Sequence, residues 1–291
     1  MNAERVLPGP ALLFCPADRP DRYAKAAAAA DTVILDLEDA VARDGKDAAR
    51  RALLTALEAG LRPEATIVRV NATDSGEQEA DIRAVLETQF RTLMLPKAEG
   101  AEQVDALSEA VPGVRVVALC ESPLGIVHAE ELAASDAVIA LTWGAEDLAA
   151  AIGGTSSRRD DGRYRDMARH ARARVLIAAA AFGKPAYDTV HLDIADEEGL
   201  AVEAADAAAS GFAGALCIHP RQVAVLRRAF APSDDAVAWA HEVMDTARES
   251  GNGVFTVRGR MVDEPLMRQA RSILNAAANQ GESREAREAR E

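Results

Sequence analysis

The sequence predicts a (β/α)8 TIM barrel with a C-terminal helical extension, and three observations carry that prediction. Eight short apolar runs rich in β-branched residues recur along the 291-residue chain. The stretches between them are rich in alanine, leucine and long charged side chains, which favour helix. The runs are continuously hydrophobic rather than alternating, as in VIL, LML, VVAL and VIAL, the pattern of parallel strands buried on both faces.

In chain order the runs are ALLFCPA (11–17), TVILDLED (32–39), TIVRVNA (66–72), TLMLPKAE (92–99), RVVALCES (115–122), AVIALTWGAED (137–147), PAYDTVHLD (185–193) and GALCIHP (214–220). Each ends in charged or turn residues, as strands of an α/β protein do before the following helix. Between them RYAKAAAAA, AARRALLTALEAG, EADIRAVLET, AEQVDALSEAV and MARHARARVLIAAAAFG read as helices, several ending in glycine. No Gly/Ser/Pro-rich linker divides the chain. The expected organisation is therefore a barrel over 8–230 and a helical extension over 231–275, with Ser233 as an N-cap. A charged tail follows over 276–291, disordered or at most a fraying helix.

Composition narrows the function classes. With 47 acidic against 33 basic residues and a formal net charge of −14, the chain lacks the basic surface that nucleic acid demands. An anionic substrate needs a locally basic mouth. Cys15, Cys120 and Cys217 lie far apart inside apolar runs, and read as reduced core thiols of a cytoplasmic protein rather than a disulfide framework. The opening MNAERVLPGP does not read as a secretory leader, and no stretch is long and apolar enough to span a bilayer, so no membrane association is expected.

In such a barrel the active site lies at the C-terminal strand ends. That rule selects Arg19 and Arg22 after the first run, Asp36, Glu38 and Asp39 on the second, Arg69 and Asn71 on the third, and Lys97 on the fourth. It adds Glu121, Glu146 with Asp147, Asp188 with His191, and His219. Carboxylates from the second, fifth and sixth runs converge on one mouth, where one or two carboxylates with water and substrate suit Mg²⁺. Zinc is not indicated, since no Cys/His cluster has its spacing. Arg69 supplies the opposite charge for an oxyacid or a developing enolate.

In order and spacing, LFCPADRPDRYAKA, DLEDAV, RVNA, LPKAE, ESPLG, WGAEDL, CIHP and GRMVDEP resemble the HpcH/HpaI aldolase family, in particular its citrate lyase β-subunit-like (CitE-like) branch with the malyl-CoA and citramalyl-CoA lyases. The resemblance covers nearly the whole chain. It implies a TIM barrel, a homotrimer or hexamer, and Mg²⁺-dependent cleavage or formation of a 3-hydroxyacyl thioester to give acetyl-CoA and a 2-oxo acid. Glu121 and Asp147 are the implied metal ligands, and Glu38 and Asp39 groups that contact the metal through water. Arg69 binds substrate oxygen, with Glu121, Ala145 and Glu146 also at the substrate. Arg19 and Lys25 match a coenzyme A phosphate site, and Asp263 an aspartate that reaches into a neighbouring subunit's site. The chain departs from the family at Pro16-Ala17, where PG is common, and at Glu121-Ser122-Pro123, where ETP is common; neither change removes a ligand.

Each role has a plainer counterpart. Arg69 could form a structural ion pair, Glu38 and Asp39 could fix loops, Arg19, Arg22 and Lys25 could be a solvated helix face, and Asp263 could cap a helix. His219 reads as structural. The loop GGTSSRRDDGRYRD, 153–166, follows the metal-bearing run and is expected to shape substrate choice. Thioester hydrolysis or malate-synthase-type chemistry, a CoA-independent pyruvate aldolase, and a non-catalytic subunit of a lyase complex remain open beside the lyase.

Overall fold

In the computed structural model the described residues are 7–250 and 253–288, with side chains described as far as residue 278. Residues 1–6, most of the segment read for a leader, and 289–291, the end of the charged tail, lie outside the described residues. Two compact units divide at Arg227/Arg228.

The first unit is a closed barrel of eight parallel strands in sequence order. They are β1 (Ala11–Pro16), β2 (Thr32–Asp36), β3 (Thr66–Arg69), β4 (Thr92–Leu95), β5 (Arg115–Cys120), β6 (Val138–Trp143), β7 (Ala186–Asp188) and β8 (Gly214–Cys217). Each expected run contains one strand. β7, at three residues, is far shorter than the run around it. The barrel's helices are α1 (Tyr23–Ala29), α2 (Lys46–Ala52), α3 (Gln78–Leu86), α4 (Ala101–Ala110), α5 (Pro123–Val127), α6 (Ala129–Ala134), α7 (Ala145–Ala151), α8 (Asp166–Ala181), α9 (Glu197–Ser210) and α10 (Pro220–Ala229). Local chemistry sets several ends. The Ser122 hydroxyl accepts the Gly125 N–H at 3.1 Å to start α5, the Asp196 carboxylate accepts the Gly199 N–H at 2.8 Å to start α9, and Gly211 closes α9 at φ 104°.

Leu12, Ile34, Ile67, Met94, Val117, Leu119, Tyr187 and Leu216 form the buried core cluster. Alternate residues of a strand share a face. Asp36, Arg69 and Glu121, two positions beyond Ile34, Ile67 and Leu119, therefore continue the same face toward the C-terminal mouth. The register seats Asp36 directly beside Arg69 on β2 and β3.

The second unit holds α11 (Asp234–Ser250), β9 (Phe255–Val257), β10 (Arg260–Val262) and α12 (Glu264–Glu288). Ser233 caps α11, its hydroxyl accepting the Ala236 N–H at 3.2 Å. The antiparallel β9–β10 hairpin was not anticipated in a segment expected to be helical. Its signal is Arg258-Gly259, both at positive φ (49° and 75°), as a two-residue hairpin turn requires. Ala240, Val243, Val257, Val262 and Ala270 make this unit's own core. The tail from 276, expected to be disordered or fraying, is helical through Glu288. Its Glu, Arg and Ala residues are strong helix formers.

Candidate active site

A cavity of about 820 Å³ opens at the C-terminal ends of the strands, lined by Asp36, Asp39, Arg69, Glu121, Glu146 and Asp147 together with Phe14, Trp143, Leu192 and His219. It brings together the expected carboxylates of the second, fifth and sixth strands. Glu121 is 4% exposed, while Asp147 stands exposed in the first turn of α7. Burial pushes the Glu121 carboxyl up to about 8, helped by the negative charges of Asp147 and Glu38 and opposed by Arg69 and Lys97. Ionised, it is a buried anion among anions, the circumstance a divalent cation relieves. Among the described residues no group of three or more His, Cys, Asp or Glu side chains converges as a metal cage. Mg²⁺ requires no such cage, because one or two carboxylates with water and substrate suffice.

Gly144 makes room for this carboxylate. A Cβ there would lie 2.8 Å from both the Cβ and Oε2 of Glu121. On its other side, the Lys97 N–H donates to Glu121 Oε1 at 3.1 Å.

Arg69 is 9% exposed and doubly paired. Its Nε donates to Asp36 Oδ1 at 2.8 Å and its Nη2 to Asp36 Oδ2 at 2.6 Å, while Nη1 stands 3.0 Å from Glu38 Oε2. The guanidinium also lies over the Phe14 ring, 4.9 Å from its centroid. The ion-pair role weighed against substrate binding is therefore real, and it coexists with a place on the cavity wall. Glu38 is held from the other side by Lys97 Nζ at 2.8 Å, and burial raises its pKa against the pull of both cations. The Asp36 carboxylate also accepts the Glu38 and Ala40 N–H groups at 2.9 and 3.2 Å, folding DLED back on itself. Buried Lys46 completes the loop, donating to the Leu37 and Glu38 carbonyls and to Asn71 Oδ1 at 2.6, 2.7 and 2.7 Å.

The sequence profile of the HpcH/HpaI aldolase/citrate lyase family matches residues 11–220. The chain belongs to the HpcH/HpaI aldolase/citrate lyase family. It is 52% identical over 269 residues to the citrate lyase subunit beta-like protein of Mycobacterium tuberculosis, covering 92% of this chain and 96% of that one. To the mitochondrial citramalyl-CoA lyase of Rattus norvegicus it is 32% identical over 305 residues, covering 96% and 89%. A solved structure of CitE from M. tuberculosis, in complex with magnesium, acetoacetate and coenzyme A, superposes with a TM-score of 0.87 at 52% identity, covering 94% of this chain and 99% of that chain. The carbon–carbon lyase class expected from the motifs is the class named for these relatives.

Within this HpcH/HpaI member the remaining expected positions divide. Lys25 lines the cavity, whereas Arg19 does not and instead closes on Asp21 through two hydrogen bonds of 2.9 and 2.8 Å. Its neighbour Arg22 takes the expected place on the wall. Ala145 and Glu146 both line the cavity, and Glu146 accepts the Ser157 hydroxyl at 2.5 Å. Through that bond the 153–166 loop touches a wall residue, although none of its own residues lines the cavity. Arg158 of this loop stacks on Tyr164 at 4.0 Å and pairs with Glu203. Asp263 belongs to the second unit, where its carboxylate accepts the Leu266 N–H at 3.3 Å as the cap of α12. His219 lines the cavity, with Nδ1 accepting the Arg221 N–H at 3.2 Å. The three cysteines are free and buried, and burial pushes their thiols up to about 11 for Cys15 and about 12 for Cys120 and Cys217. No helix among the described residues is long and apolar enough to cross a membrane.

Sequence reasoning assigned no role to Asp36, Lys46, Lys97 or Gly144. Asp36 and Lys97 were visible as strand-end charges. Lys46 and Gly144 act through tertiary contacts that carry no local signal.

Proposed function

We propose that the chain is a Mg²⁺-dependent carbon–carbon lyase that cleaves, or in reverse forms, a 3-hydroxyacyl-CoA such as citramalyl-, malyl- or citryl-CoA. The products of cleavage are acetyl-CoA and a 2-oxo acid. One observation carries the reading: a buried glutamate with its pKa pushed up to about 8 shares a large cavity with Asp147 and faces Arg69, in a chain of this family. Glu121 and Asp147 are the residues that would hold the ion. Bound Mg²⁺ supplies Lewis acidity to the substrate's hydroxyl and carboxylate oxygens.

The rest falls to the chain's own groups. As the carbon–carbon bond breaks, its electron pair passes to the acetyl thioester and negative charge gathers on the thioester oxygen. Arg69, fixed in place by Asp36 and backed by Phe14, offers that oxygen a preorganised positive charge. The hydroxyl proton leaves as the 2-oxo group forms, and the acetyl carbon must gain one. Glu38, whose pKa is raised by burial, and Asp263 of a neighbouring copy are the proposed proton carriers. Arg22 and Lys25 on the cavity wall are the proposed partners of the coenzyme A phosphates. The reading carries with it a homotrimer or hexamer, in which Asp263 would act across an interface, and a cytoplasmic location.

The test is incubation of the pure chain with malyl-, citramalyl- and citryl-CoA, with Mg²⁺ or with EDTA, and identification of products. Acetyl-CoA and a matching 2-oxo acid, formed only with Mg²⁺ and lost in Asp147→Asn, are expected. Free CoA with an intact hydroxy acid would replace the lyase by a hydrolase. Turnover of pyruvate with an aldehyde alone would replace it by an aldolase.

A further inference from the structure

Lys97 follows the end of β4 and has a φ of 48°, in the left-handed region that side-chain-bearing residues rarely adopt. The other described case, Arg258, is explained by its hairpin turn with Gly259. Lys97 sits in no hairpin. Its conformation accompanies two contacts made in opposite directions. The backbone N–H donates to Glu121 Oε1 at 3.1 Å, and the side-chain ammonium donates to Glu38 Oε1 at 2.8 Å. The chain then rejoins the sheet at once, Ala98 N–H donating to the Leu119 carbonyl of β5 at 3.1 Å. One residue after the fourth strand thus grips carboxylates contributed by the second and fifth.

The grip on Glu121 is selective between its two oxygens. Oε1 is taken by the Lys97 amide, whereas Oε2 lies against Gly144 and accepts no hydrogen bond from the described residues. A carboxylate in an open cavity would rotate to share both oxygens between partners. Here the amide on one side and the space left by Gly144 on the other fix which oxygen stays available. Strained backbone persists where its surroundings over-determine it, and it clusters at functional sites.

We propose that Lys97 is a positioning residue: its left-handed backbone sets Glu121 to present Oε2 to Mg²⁺, and its ammonium fixes Glu38 beside Arg69. This rests on the reading of Glu121 and Asp147 as the magnesium site. If Lys97 were only a counter-ion for Glu38, its backbone conformation would have no bearing on the metal.

The experiment is calorimetric titration of Mg²⁺ into the full chain without substrate, for the unaltered protein and for Lys97→Gly, Lys97→Asn and Lys97→Val, with thermal unfolding of each. All three variants lose the ammonium, but glycine and asparagine tolerate positive φ and valine does not. Lys97→Gly and Lys97→Asn are expected to keep the Mg²⁺ dissociation constant within about threefold at melting temperatures close to each other, and Lys97→Val to raise it about tenfold or more when titrated well below its own melting temperature, which the strain lowers. If Lys97→Val does not fold, Lys97→Ala decides, with an expected weakening between those of glycine and valine. Equal affinities for Gly and Val (or Ala), or a Gly variant as weak as Val, overturn the backbone role. In turnover, Lys97→Gly is expected to lose about tenfold in kcat through the released Glu38 while its Mg²⁺ affinity stands. An unchanged kcat overturns the ammonium role. The underlying site is judged separately: an unaltered chain that binds no Mg²⁺ refutes both readings, whereas binding that is lost in Asp147→Asn leaves the site standing whatever Lys97 does.

Discussion

Arg69 and Asp36 are register partners on adjacent strands and meet through two parallel hydrogen bonds of 2.8 and 2.6 Å. The same carboxylate accepts the backbone amides of Glu38 and Ala40, so one side chain sets both the arginine and the loop that carries Glu38. Both partners are nearly excluded from solvent, at 11% and 2% side-chain exposure, where removing one member of a pair leaves an uncompensated buried charge. Asp36→Asn is expected to destabilise the chain by about 3 kcal/mol, the Glu38 contact retaining part of Arg69's compensation. Urea unfolding at pH 7 measures this. A loss below about 1 kcal/mol would show that Glu38 alone suffices to hold the guanidinium.

Gly144 offers a purely steric test of the carboxylate's placement. Its φ of −119° is open to any residue, so replacing it strains no backbone. A Cβ at 2.8 Å from Glu121 Cβ and Oε2 cannot be accommodated unless Glu121 moves. Gly144→Ala is expected to weaken Mg²⁺ binding by about tenfold or more, with about 1–3 kcal/mol lost to overpacking. Calorimetry against the unaltered chain reads the first, and denaturant unfolding the second. Retained affinity would mean that the position of Glu121 is not what holds the metal.

The barrel was legible because its strands are buried on both faces, and so read as runs such as VVAL and VIAL that no amphipathic helix would show. The hairpin of the second unit was not, since each strand has three residues and alternation over three residues is a weak signal. In the site, Glu121 and Asp147 were legible as strand-end carboxylates. Asp36 was visible but its purpose was not, because the bond to Arg69 depends on how β2 and β3 align, which neither run reveals alone. Lys97 hides differently: its function lies in a backbone dihedral, and lysine is not a residue that announces positive φ. Of the two expected basic positions Lys25 lines the cavity, whereas Arg19 does not and pairs with Asp21 two residues along.

The raised pKa of Glu121 gives metal binding a pH signature. A buried carboxyl that titrates near 8 when folded and near 4.5 when unfolded keeps its proton in the folded chain across that interval. Its contribution to stability is therefore fully present below about pH 4.5 and is lost as pH rises through about 8. Mg²⁺ held by this carboxyl would compete with that proton and offset the loss. The gain in melting temperature from Mg²⁺ over EDTA is expected to be small at pH 5 and to grow up to about pH 8, on the order of a few kcal/mol in stability at the upper end. Glu121→Gln should remove the gain and leave the EDTA chain more stable at pH 8 than the unaltered one. A Mg²⁺ gain independent of pH would place the ion on groups other than this carboxyl.

Variants at the mouth test whether the substrate is a coenzyme A thioester or a free acid. Arg22 and Lys25 line the cavity, whereas Arg19 is spent on Asp21. A charge-assisted bond to a phosphate contributes about 1.5–3 kcal/mol, so Arg22→Ala or Lys25→Ala is expected to raise KM for an acyl-CoA about tenfold, with kcat little changed. Arg19→Ala should raise it far less, because that guanidinium already has its acceptor. Added salt should narrow these differences, as the groups are exposed and their fields are screened. Steady-state kinetics of the three variants at two ionic strengths reads this ordering. Equal effects from all three would mean that Arg19 leaves Asp21 when the thioester arrives, and no effect from any would remove the phosphates from this side of the barrel.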